Sequence, residues 1–93
     1  MSYVILKSDG TILTTIPDGT INTTSTPLGL PGRLYPGYGQ VIDTDVVHLL
    51  ENFADSTPPV AALRGQLWYN TANNTLCVAP SDSPTANSWV VLS

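Results

Sequence analysis

Apolar and polar residues alternate with a period of two near both ends of this 93-residue chain, and take the three-and-four spacing of a helix once between them. Tyr3-Val4-Ile5-Leu6-Lys7 and Thr11-Ile12-Leu13-Thr14-Thr15-Ile16 are two β-prone runs separated by Ser8-Asp9-Gly10. Asp-Gly in that position is the strongest short hairpin signal, because both turn residues tolerate positive φ. Pro17-Asp18-Gly19 then sets Pro at a turn's second position and Gly where positive φ is needed, so Thr20 to Thr24 is expected to return as a third strand. Residues 1–24 are thus predicted to form a β-meander.

Between Ser25 and Gln40 the chain carries Pro27, Gly29, Pro31, Gly32, Pro36, Gly37 and Gly39. No regular element is expected through such a density of breakers. Leu28, Leu30, Leu34, Tyr35 and Tyr38 are interspersed with them, which suits an ordered, extended segment over residues 25–42 that lays its side chains on a neighbouring surface. Asp43 to Ala54 reads as the single helix, within a region bounded at 43–55: Val46, Leu49, Leu50 and Phe53 share one face, and Asp43 or Thr44 is placed to cap it. Asp45 would sit in the positive first turn, and Pro58-Pro59 bars continuation. At about three turns such a helix is marginal alone and needs a surface to dock on.

Residues 56–93 are predicted to form a three-stranded β-meander. Leu67-Trp68-Tyr69 begins it, Thr71 to Asn74 supply a polar turn, Leu76 to Val78 return, and Ser88 to Leu92 with Trp89 follow the loop 79–87. Alternation sends Leu67 and Tyr69 to one face and Trp68 to the other, while Leu76 and Val78 share a face that Cys77 does not. Both faces therefore carry large apolar groups and want a cover, from this chain or from another subunit. The fold class expected is α+β, mostly β.

Composition sharpens this picture. Charged residues make up 11% of the chain, about half the usual share of roughly 25%, and abundant Thr, Ser and Asn provide polarity instead. With three basic residues against seven acidic, net −4, there is no cationic patch for a phosphate backbone, so nucleic acid is not an expected partner. No segment approaches membrane-spanning length and the start lacks a leader's apolar core, so no membrane partner is expected either. Cys77 is the only cysteine, which excludes an internal disulfide and two-cysteine metal motifs.

Candidate chemistry is sparse. His48 and Glu51 lie one turn apart, but a metal site needs a third ligand that no spacing supplies. Asp43 and Asp45 are the carboxylates of a helix start, and the many Ser and Thr residues of the expected turns and strands have no histidine partner nearby in sequence. Gly37-Tyr38-Gly39 lacks the further Gly and the Lys of a phosphate loop. The chain is therefore expected not to be an enzyme and to hold no cofactor or metal. Trp68, Tyr69 and Trp89 are candidates for stacking on a sugar or for packing a small sheet, and Tyr35 and Tyr38 suit an interface.

The runs Tyr35-Pro36-Gly37-Tyr38-Gly39-Gln40, His48-Leu49-Leu50-Glu51-Asn52-Phe53-Ala54 and Gly65-Gln66-Leu67-Trp68-Tyr69-Asn70-Thr71 together resemble a module of tailed-bacteriophage structural proteins, carried by tail fibres and related virion proteins. In that family a GQLWY(D/N) strand, an Asn-rich turn, a further strand and a terminal Trp-Val strand recur, and Trp89-Val90-Val91 fills the last slot here. The initial Asp-Gly hairpin fits the same pattern. The resemblance implies a structural component of a virion tail, made in the host cytoplasm: a short tail fibre or a fibre-attachment or adaptor piece. It also implies partners, namely copies of itself in a homotrimer and neighbouring tail or baseplate proteins. The residues expected at those contacts are Tyr35, Tyr38, Leu49, Leu50, Phe53, Trp68, Tyr69 and Trp89. The alternative is a receptor- or carbohydrate-binding fibre tip using Trp68, Trp89 and the 79–87 loop.

Overall fold

A computed structural model describes residues 1–92. The chain forms two units, Met1–Asp45 and a second from Val46 onward. Most of the regular structure is sheet, with one helix, so the α+β, mostly β expectation holds.

In the first unit β1 (Ser2–Leu6) and β2 (Ile12–Pro17) pair antiparallel, from Ser2 opposite Pro17 to Leu6 opposite Ile12. The register slips between Ile5 and Leu6, which leaves Leu13 as an extra residue of β2, a bulge that bends that strand. The turn is closed by Lys7 N–H donating to Thr11 O at 2.9 Å and Gly10 N–H donating to Lys7 O at 2.9 Å, with Gly10 at φ 89°. Asp9 Oδ1 accepts from the Thr11 hydroxyl at 2.7 Å and the Thr11 amide at 3.0 Å. Those two bonds, the hydroxyl's first, hold the Asp9 carboxyl below the ordinary aspartate range.

The expected third strand does not join this hairpin. Thr20 to Thr24 contains only β3 (Ile21–Asn22), which pairs with β4 (Leu30–Pro31) in a separate two-stranded ladder. Pro17 ends β2 without an N–H to offer a further strand; Asn22 touches β2 only by its side chain, Nδ2 donating to Thr14 Oγ1 at 3.2 Å, and its Oδ1 accepts the amides of Thr24 and Ser25 in the turn after β3. Gly32 N–H to Thr20 O (2.7 Å) and Gly19 N–H to Arg33 O (2.6 Å) extend the new ladder. The segment expected to lack regular structure therefore supplies a strand. Ile16 is the best-buried large side chain, and Gly32 lies against it: a Cβ there would stand 2.5 Å from Pro17 O and 2.8 Å from Ile16 Cγ2.

The helix also departs from expectation. α1 runs Tyr38–Leu50, starting five residues before Asp43 and stopping short of Ala54. Gly37, at φ 78°, precedes it, and its carbonyl accepts Gln40 N–H (3.1 Å) and Val41 N–H (3.3 Å); a glycine is well suited to that boundary position. Asp43 and Thr44 are thus interior residues, and the Thr44 hydroxyl donates back to Gln40 O. Asp45, also interior, accepts Gly29 N–H at 3.0 Å. The end is a Schellman turn: Asn52 N–H donates to Leu49 O and Phe53 N–H to His48 O, with Asn52 at φ 53°. Asn52, rather than Pro58-Pro59, stops the helix.

In the second unit β5 (Leu67–Asn70), β6 (Thr75–Val78) and β7 (Val90–Val91) form the expected three-stranded antiparallel sheet in that order. Asn74 at φ 55° completes its first turn. Residues 52–55 run beside the outer edge of β5, through Tyr69 N–H to Asn52 O, Asp55 N–H to Tyr69 O and Thr71 N–H to Asp55 O, so that edge is covered. Trp68 and Trp89 meet edge to face with centroids 5.3 Å apart, packed with Ala62, Cys77 and Ala79 and flanked by Phe53. Trp68 Nε1 donates to Asp55 O at 3.2 Å.

Gly32→Ala forces the Pro17 carbonyl and the Ile16 side chain apart, and a cost of about 1–3 kcal/mol is expected from such overpacking; urea denaturation followed at the backbone amides of residues 2–32 measures it, and an unchanged midpoint would contradict the close approach. Because the Asp9 pKa is lowered on folding, its contribution to the turn is full above the ordinary aspartate value and is lost as the pH falls from there through the lowered, folded-state value. An NMR titration of the Thr11 amide should therefore show a midpoint below that of an unstructured aspartate, and a midpoint at or above it would show the turn bonds to be absent.

Candidate functional site

Along α1 the side chains of Tyr38, Ile42, Val46, Leu49 and Leu50 recur at separations of four, four, three and one, which puts them on one broad stripe. None of the thirteen helical residues is buried, and these five are between 46% and 77% exposed. Acidic residues flank the stripe: Asp43 and Asp45 on the helix and Glu51 directly after it. An apolar band of this kind gains free energy when it is withdrawn from water against another apolar surface.

The interface candidates divide three ways. Leu49 and Leu50 stand on this stripe, open to contact. Phe53 does not continue it: beyond the helix end, at φ 54°, it packs toward the Trp68–Trp89 core. Trp68 and Trp89, at 4% and 8% exposure, are enclosed by their own unit. The expectation that they face a partner or a sugar is therefore corrected, because edge-to-face packing and burial beneath the sheet leave no ring face open. Tyr69 lies on the sheet's other face, half-buried, its hydroxyl donating to Asn74 Oδ1. That face also carries Leu67, Leu76, Val78 and Val90 by alternation, none of them buried. One face of the sheet is thus buried within its own unit, and the other is partly exposed.

Tyr35 and Tyr38 come together in an open groove of about 410 Å³ that Tyr3, Arg33, Leu34 and Pro36 complete. A turn closed by Tyr35 N–H to Gly32 O builds it, with Leu34 at φ 66° and 72% exposed. A bulky residue in the left-handed region is a strained arrangement, of a kind that clusters at functional positions. Arg33 Nη1 is held 3.2 Å from Asp18 Oδ2. Sequence reasoning missed Tyr3, which reads only as an apolar strand residue, and missed Ile42, because a helix begun at Asp43 excludes it. The four-residue spacing of Tyr38, Ile42 and Val46 was the available signal.

Among the described residues, no group of three or more His, Cys, Asp or Glu is placed to hold a metal ion. His48 lies in the last helical turn with its ring 6.3 Å from that of Phe53, and Cys77 is buried in the core. No described helix is long and apolar enough to cross a membrane. Comparison with protein-family models, with curated proteins and with solved structures finds no match to this chain.

Proposed function

We propose that this chain is a structural component of a bacteriophage virion, a short tail fibre or a fibre-attachment or adaptor piece. It acts by packing against copies of itself in a homotrimer and against neighbouring tail or baseplate proteins. The observation that carries the reading is the exposed helix: five large apolar side chains lie in one stripe, each 46% exposed or more. Their exposed surface is on the order of 600 Å² per copy, approaching the roughly 800 Å² that each partner contributes to a standard interface. The stripe itself carries no charge, so its burial strips no ion pair of water. The phage assignment comes from the Tyr35–Gln40, His48–Ala54 and Gly65–Thr71 runs and their resemblance to tail-fibre modules.

A second reading, a receptor- or carbohydrate-binding tip, has lost Trp68 and Trp89, but the tyrosine groove favours it at another place. Aromatic faces with hydroxyl edges are suited to a sugar ring, and Tyr3, Tyr35 and Tyr38 all border one opening.

Leu50→Asp, at the most exposed position of the stripe, should leave the isolated fold intact. Withdrawing that leucine is worth about 1.5–3 kcal/mol per site, so association should weaken by roughly ten- to a hundred-fold. Sedimentation velocity of parent and variant reads this directly, and identical profiles would remove the helix from any contact. For the second reading, binding on a glycan array that disappears with Tyr38→Ala while the parent's mass distribution is retained would favour the groove; no binding by the parent would dismiss it.

A further inference from the structure

Among the described residues β1 has β2 on one side and no strand on the other. Among the described residues, no backbone group of Ser2–Leu6 is bonded to any segment but β2, so every second N–H and C=O of the strand points outward. Proteins blunt such edges with charge, proline, a bulge or a cover. Ser2-Tyr3-Val4-Ile5-Leu6 contains no charge and no proline, and the bulge belongs to β2. The outward sheet face beside that edge is apolar too, with Val4, Leu6 and Ile12 at 54%, 58% and 63% exposure. A lone two-stranded hairpin is at best marginal in water, and this one leaves both its free edge and one of its faces wet.

We infer that β1 is a pairing edge for the β1 of a second copy, joined antiparallel about a two-fold axis at Val4. The strand is self-complementary in that register. Val4 faces its own equivalent, and Tyr3 and Ile5 face each other twice across the axis, an aromatic beside a β-branched residue, which is a favoured cross-strand pair. Ser2 and Leu6 close the two ends. The axis preserves the faces, so Val4, Leu6 and Ile12 of both copies merge into one apolar surface on a four-stranded sheet. Although each copy carries a net −4, residues 2–6 are uncharged, and just beyond them Lys7 of one copy comes opposite the Met1 ammonium of the other, which Asp18 Oδ2 pairs at 3.2 Å. The inference deepens the self-assembly reading above by naming a second contact, and it rests on that reading for the partner being another copy. Its side-chain area is on the order of 400 Å² per copy, below that of an interface stable on its own, and an isologous two-fold contact lies between homotrimers and not within one, so it adds to an assembly that the helix contact builds.

Val4→Lys places two ammonium groups across the axis and should weaken association at least ten-fold while the intrahairpin amide signals persist. Val4→Cys should form a disulfide-linked dimer under mild oxidation at least ten-fold faster than Thr15→Cys. Thr15 is exposed and lies opposite Val4 on β2, one strand farther from the axis and out of bridging range. Unchanged association of a folded Val4→Lys chain, or equal cross-linking of the two cysteine variants, would overturn the pairing. Should Val4→Lys not fold, the cysteine pair decides alone. Failure of the helix contact is read separately, from Leu50→Asp.

Discussion

The shortage of interior is the constraint behind every other feature of this protein. Among the described residues six hydrophobic side chains are buried, while seventeen large ones stand exposed. A chain of this length encloses only about two thirds of the surface its unfolded form presents, and here the large groups that do go inside are Ile16, Trp68 and Trp89. Burial of this extent cannot by itself offset the conformational entropy of ordering the chain. The backbone therefore makes up the difference locally, through ladders, bulges and side chains that fold back on their own turns.

Asn, Asp and Thr do that work at successive corners. Asp9 closes the first hairpin, Asn22 shapes the turn that follows β3, Thr26 binds both backbone groups of Leu28, and Asn70, Asn73 and Asn74 shape the turn between β5 and β6. This explains a composition poor in charge and rich in small polar residues. Such side chains reach backbone groups two or three residues away, whereas ionic pairs would require long side chains held over a surface. It also explains why apolar residues can remain outside without unravelling the corners.

Much of this was legible in the sequence where the signal is local. Asp9-Gly10 between β-branched runs marks the hairpin, and Leu67 to Tyr69 with the Asn-containing turn marks the C-terminal sheet. Alternation also separated Trp68 from Leu67 and Tyr69 correctly. The misses concern boundaries: glycine and proline between residues 25 and 42 were read as excluding regular structure, and Asn52 was read as helical where it ends the helix. Gly37 begins the helix, Gly39 is tolerated inside it, Asn52 ends it, and Pro31 sits in a two-residue strand whose partner lies nine residues back. Of the candidate contact residues, Leu49 and Leu50 were readable from helical spacing. The tyrosine groove was not, because Tyr3 approaches Tyr35 and Tyr38 only through the tertiary fold, and no periodicity records that approach.

The Trp68–Trp89 pair has an optical consequence. These are the only two tryptophans in the chain, and both belong to the second unit. Intrinsic indole emission, and the exciton coupling expected of two rings at 5.3 Å, therefore watch that unit alone. The first unit is spectroscopically silent in this band, so an unfolding curve recorded by tryptophan fluorescence describes half of the protein, and its coincidence with far-ultraviolet ellipticity becomes a measure of whether the two units melt together.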